Sequence, residues 1–222
     1  MNQLNQHQVS IKSLILVPAL ITLGVTLLRL AGELMDWSPL FFNREVGGGG
    51  ALVGIIWLVP IFGFYFAHKL MNLNVHPTGA GRVFGFSFLA LAVCGALLAF
   101  GFSLPTASLA QFLMIAAGSV VGILIARKGW PELASTLLAY GLAARIPVAL
   151  VVLFAIAGDW RTHYDVPPPG LPEMGTFSKW LAIGLIPQLT LWLVVTVIFG
   201  AIFGGLAVVV MKRGQVPAEA VS

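Results

Sequence analysis

"LASTLLAYGLAARIPVALVVLFAIA", residues 133–157, carries one charged side chain, Arg145, in an otherwise apolar run. At 1.5 Å of rise per residue, a helix of this length crosses a hydrocarbon core of ~30 Å with some to spare. Five more runs read the same way: Leu14–Leu28, Ala51–Ala67, Val83–Leu104, Ala107–Ala126 and Leu181–Val210. Of the 222 residues, 59% are hydrophobic and 9% charged, against about 25% charged in soluble domains. The expected fold is therefore all-α: one integral membrane domain over residues 1–222, a six-transmembrane-helix bundle with spans at 13–34, 50–69, 83–103, 107–126, 133–157 and 186–211.

The charges orient the bundle. With the N-terminus in the cytoplasm, the inner side receives Lys12, Lys69, Arg82, Arg127, Lys128, Lys212 and Arg213. The outer side receives Arg44, Arg161 and Lys179, with Glu33, Asp36, Glu45, Asp159, Asp165 and Glu173. This is a positive-inside distribution with both termini cytoplasmic. The net charge of +4 is dispersed along the chain, so it argues for membrane topology and against a nucleic-acid face. The single cysteine, Cys94, lies mid-span and leaves no disulfide or multi-cysteine metal site within the chain. The polar start "MNQLNQHQVSIKS" has no A-x-A cleavage box, so the first span reads as a retained signal anchor.

Between the spans, "VGGGG" (46–50) lacks the Lys-Ser/Thr of a phosphate-binding loop and reads as a flexible lead into span 2. "SLPT" (103–106) forces spans 3 and 4 into an antiparallel hairpin. Gly118-x-x-x-Gly122 and Gly200-x-x-x-Gly204 are small-residue stripes for close helix packing, within the chain or between copies of it. The last apolar stretch exceeds one untilted span, and a segment at 177–187 is expected to lie along the outer interface. Spans 1 and 5 both finish in Asp-Trp (36–37 and 159–160) and are followed by "WLVPIF" and "GLIPQL", a faint internal echo.

Arg145 is the most informative residue. A mid-span arginine costs at least ~2.5–3.5 kcal/mol on insertion scales, so its guanidinium must face the bundle interior. Pro147, two residues on, frees the carbonyl of Ala143. The few available partners are Glu33, with Arg29 one turn before it, and Gln188. The economical arrangement is a charge network of Arg145, Arg29, Glu33 and Gln188 opening outward, with Glu33 or Gln188 as the partner of Arg145. Such a network is a structural clamp, a ligand or ion site, or a proton relay; the relay is disfavoured because arginine keeps its proton.

The outer loop 158–178 gathers Asp159, His163 and Asp165, an anchoring or partner-docking surface that is also a weak metal candidate. His68 and His76 sit at the inner boundary and read as polar helix ends. No H-E-x-x-H or G-x-S-x-G motif is present, so no cofactor, metal centre or side-chain catalysis is expected. "RIPVALVVLFAIAGDWRTHYD" (145–165) resembles a stretch of bacterial multi-pass membrane proteins of acidobacterial type. The resemblance implies a bacterial inner membrane and carries no activity to transfer. Two functions are compatible with these features. One is a non-catalytic subunit or assembly scaffold of a membrane complex, joined to other subunits or to a second copy through its glycine stripes and the 158–178 loop. The other is a small transporter or lipid- or anion-binding protein whose site surrounds Arg145.

Overall fold

A computed structural model describes residues 10–213. The remaining residues, which hold most of the polar N-terminal segment and the C-terminal end, lie outside the described ones. Among the described residues the fold is all-helical, with six helical runs long and apolar enough to cross a membrane. The first five are α1 (Ile11–Leu34), α2 (Leu58–Asn72), α3 (Ala80–Ser103), α4 (Leu109–Arg127) and α5 (Pro131–Gly158). The last run is broken: α6 (Thr176–Lys179), a π-helical turn (Trp180–Leu185), α7 (Ile186–Leu189) and α8 (Leu191–Arg213).

Two boundaries differ from the sequence reading. Span 2 begins at Ile55 in a 3-10 turn rather than at residue 50, because the glycines before it form turns instead of helix. The final span, α8, begins at Leu191 rather than at residue 186, because the backbone breaks at Thr190; 177–187 is helical and precedes that break.

Helix α8 has the highest mean hydropathy of the six and is the most enclosed. It packs on α2, α3, α4 and α5, while α1 packs chiefly on α5. The core at this junction is built from Phe66, Leu133, Leu137, Tyr140 and Val197. Outward faces of α1 and α3 expose Leu16, Val17, Leu20, Phe88 and Phe102, as surfaces solvated by hydrocarbon do.

Both glycine stripes are consumed inside the chain. Gly118 sits against Leu97 of α3, and Gly122 against Cys94 of α3 and Val194 of α8. Gly200 meets Leu137 of α5 and the backbone of Gly63 of α2, and Gly204 meets Leu133 and Ala67. The faces the sequence offered for association between copies are filled by the chain's own helices.

The Asp-Trp echo has a local cause. After α1, Asp36 takes a left-handed φ of 53° and the Trp37 N–H donates to the Gly32 carbonyl at 2.9 Å. After α5, Asp159 takes φ 46° and the Trp160 N–H donates to Ala155 at 3.2 Å. Both are the same helix stop, in which a left-handed residue lets the next N–H reach back to the last turn. Aspartate tolerates that conformation better than most side chains.

The acidic end of the bundle holds residues 35–54 and 159–175. At the opposite end, Arg82 Nε donates to the Lys128 carbonyl at 3.0 Å and Lys69 lies over the Tyr65 ring.

Candidate functional site

Glu33 lies in the last turn of α1 and is fully buried. A carboxylate in such a place needs its oxygens occupied. Arg29, four residues earlier on the same helix face, donates from Nε to Oε1 at 2.9 Å. His163, 130 residues away, supplies two more contacts: its backbone N–H donates to Oε2 at 2.9 Å, and Nδ1 meets Oε1 at 2.5 Å. An ionised carboxylate only accepts, so Nδ1 carries the proton in this contact. The Glu33 backbone carbonyl accepts from Arg44, which also pairs with Asp36 at 2.9 Å.

The far end of Arg29 organises the segment before α2. Its Nη2 donates to the carbonyls of Asn43 at 3.2 Å and Gly48 at 2.8 Å. Gly48 has φ +64°, and a Cβ there would collide with Arg29 and with His163 Cδ2. Only glycine fits. Within the run expected to be flexible, Gly48 is thus packed on Arg29, while Gly47, Gly49 and Gly50 stay exposed.

His163 is aimed inward by Asp165. The Asp165 carboxylate accepts from the N–H of Arg161 at 2.9 Å and from the N–H and Oγ1 of Thr162 at 2.7 and 2.8 Å. Tyr164 is buried beside the imidazole, with its OH donating to the Thr26 carbonyl at 3.3 Å. Asp159 stays at the surface near Arg161. The three candidates Asp159, His163 and Asp165 therefore do not converge: one is surface-exposed, one clasps Glu33 and one holds its own turn. The part of the loop read as an anchoring or docking surface forms a plug seated on α1.

Burial pushes the His163 imidazole below its ordinary value of 6.5, and the positive charge of Arg29 adds to this, against the opposing pull of Glu33 and Asp165. Burial also raises the Tyr164 phenol. For a group whose folded-state value is lowered, the stability it contributes is present above the ordinary value and lost as pH falls below it. The unfolding midpoint of the native chain is expected to drop as pH is lowered from 6.5. A His163→Gln variant should lose that part of the slope, which thermal unfolding across a pH series would show.

Below this plug lies a cavity of about 390 Å³, over α5 and between α1 and the broken last run. Thr26 and Arg29 line one side, Arg145 and Val148 lie on α5, and Gln188 and Trp192 line the other side. Arg145 is 4% exposed. Its guanidinium lies 5.3 Å from the Trp192 ring centroid, and Nη2 reaches Thr196 Oγ1 only at 3.5 Å. Its Nε, and the side-chain oxygen of Gln188, have no hydrogen-bond partner among the described residues.

The expected four-residue network therefore divides. Arg29 and Glu33 pair, joined by His163, while Arg145 and Gln188 share the cavity wall without bonding to each other or to Glu33. Register explains the separation. Thr22 of α1 bonds Tyr140 of α5 at 2.8 Å. Counting along these parallel helices, Glu33 stands six residues beyond the level of Arg145, about 9 Å at 1.5 Å per residue.

The wall opposite α1 is irregular. The π-turn brings Gly184 against Val152, and Trp180 Nε1 donates to the Ala149 carbonyl at 2.8 Å. At Thr190 the backbone leaves the helix (φ −116°, ψ −82°). Gln188 and Trp192 flank this break. Irregular backbone is tolerated at membrane depth where it is buried in protein or lines a cavity, and π-turns concentrate at functional sites.

The sequence reading did not single out Trp192, Thr196 or Gly48. Trp192 carried a signal, because it stands one helical turn after Gln188. Chemically, the arrangement offers a buried cation, an amide and apolar walls, which suits an anionic group that excludes water. Comparisons with protein families, with curated proteins and with solved structures find no match to this chain.

Proposed function

We propose that the chain is a multi-pass protein of a bacterial cytoplasmic membrane that binds an anionic ligand in the cavity at Arg145. In this reading both termini are cytoplasmic and the acidic end, with its Glu33–His163 plug, faces outward. The positive-inside bias of the loops supports that orientation, and the resemblance of residues 145–165 supports the bacterial assignment.

The observation that carries the reading is a buried guanidinium without a counter-ion among the described residues. Removing the partner of a buried charge typically costs 3–5 kcal/mol, so an arginine kept in this state points to a charge supplied from outside. Its contacts with Thr196 and Trp192 are too weak for a clamp. The scaffold reading is less well supported, since its glycine faces are occupied within the chain and His163 and Tyr164 of its outer loop are turned onto α1.

A ligand arginine and a structural arginine respond oppositely to neutralisation. Arg145→Met is expected to leave the thermal midpoint of ligand-free protein unchanged or higher, because an apolar side chain removes the desolvation cost. A large drop would restore the clamp. The function itself is tested by mass spectrometry of what co-purifies in mild detergent. A stoichiometric anion is expected with native protein and should be absent from equally folded Arg145→Gln. An anion retained by that variant, or native protein that carries only partner subunits, would overturn the proposal.

A further inference from the structure

We infer that the ligand of the Arg145 cavity is a monoanionic amphiphile, a single negative group on an apolar chain, taken up sideways from the bilayer. This rests on the reading of the cavity as an anion site and adds to it the ligand's charge, its chain and its route.

The charge follows from what is already neutralised. Two arginines reach the cavity, but Arg29 is paired with Glu33 at 2.9 Å and spends its Nη2 on two backbone carbonyls. His163 turns its Nδ1 to the Glu33 carboxylate, and burial lowers its imidazole below the ordinary value, which disfavours the charged form. Arg145 is then the one uncompensated cation among the described lining residues, and it balances one negative charge. A dianion would leave a net charge buried, a costly state in low dielectric.

The chain follows from the walls. Beside its few polar groups the cavity is lined by Val25, Val148, Val152 and Ile183, which cannot hydrogen-bond to a hydrated ion. The route follows from the rim. Leu52, Ile56 and Trp57 line the same cavity and are each 40–59% exposed. They belong to the segment that bridges α1 and α2, where a water-facing mouth would call for polar side chains. Apolar side chains at the rim suit an opening toward lipid, with Trp57 at the depth interfacial indoles favour.

A carboxylate of a free fatty acid and the phosphodiester of a lipid share this chemistry. The Trp192 ring lies against Arg145 and reports on occupancy. The test reconstitutes the full chain in vesicles containing a fatty acid, a phosphatidylglycerol or a phosphatidylcholine, each brominated close to the head group. Quenching of the Trp192 contribution is read as the difference between native protein and Trp192→Phe.

One or both monoanionic probes are expected to act at roughly tenfold lower concentration than the zwitterionic one, the factor for a single charge-assisted contact. Arg145→Gln should abolish that preference, and Arg145→Lys, which keeps the charge, should retain most of it and show that the fold is intact. The more effective monoanionic probe identifies the source. Inorganic phosphate that displaces the quenching would overturn the amphiphile while leaving an anion site in place. Equal quenching by all three lipids, unchanged in Arg145→Gln, would overturn both. Loss of the preference in Arg145→Lys would show that charge is not what the cavity reads.

Discussion

Glu33→Leu is expected to be the most damaging single substitution in this chain, lowering stability by roughly 3–5 kcal/mol, the range for breaking a buried ion pair by removing one partner. The carboxylate collects Arg29, the His163 ring and the His163 backbone N–H in one place. Its loss leaves three buried donors unpaired and releases the 159–175 loop from α1. Glu33→Gln should be milder, since the amide oxygen still accepts one of those bonds. Thermal or denaturant unfolding of purified protein would rank the three proteins as native, Gln, Leu. A Leu variant as stable as the native chain would mean that the plug does not hold this end of the bundle together.

Gly63→Val is expected to be the second most damaging, at about 3 kcal/mol, the upper part of the usual range for overpacking. Here α2 and α8 touch backbone to backbone: a Cβ at Gly63 would overlap the carbonyl of Gly200 and lie 2.6 Å from its Cα. A flexible side chain could move aside, but a helix backbone must shift as a unit. Gly85 of α3 has nothing within 4 Å of a Cβ. Gly85→Ala should therefore be neutral or stabilise by up to ~1 kcal/mol through helix propensity. Parallel unfolding curves for the two variants would test both the α2–α8 contact and the outward face of α3.

These two sites differ in how far the sequence announced them. The Arg29–Glu33 pair was legible because four residues of helix put both side chains on one face. The burial of Arg145 was legible because a charge at mid-span has no polar solvent to reach. Spans 3, 4 and 5 followed from uninterrupted apolar length.

His163 as the third member at Glu33 was not legible, since the contact joins residues 130 apart and depends on the turn that Asp165 imposes. Gly63 was hidden for a similar reason: its partner glycine lies on another helix, and neither neighbour marks the crossing. The glycine run read as flexible because composition does not distinguish a loose loop from one with a left-handed glycine packed on a guanidinium. The error over the partner of Arg145 came from register. Composition supplied the few candidate partners, but only the α1–α5 pairing sets the depth of each, and it places Glu33 out of reach.

The claim that Arg145 is left for a ligand is tested most directly by a thermal-shift titration with octanoate, in zwitterionic detergent at constant ionic strength, with octanol as the uncharged control. A ligand that binds only the folded state stabilises it by RT ln(1 + [L]/Kd), about 2.7 kcal/mol at a hundred times Kd. Octanoate is expected to raise the unfolding midpoint of the native chain progressively, while octanol does not and Arg145→Gln fails to respond to either. Equal shifts with octanoate and octanol, or an undiminished octanoate response in Arg145→Gln, would contradict it.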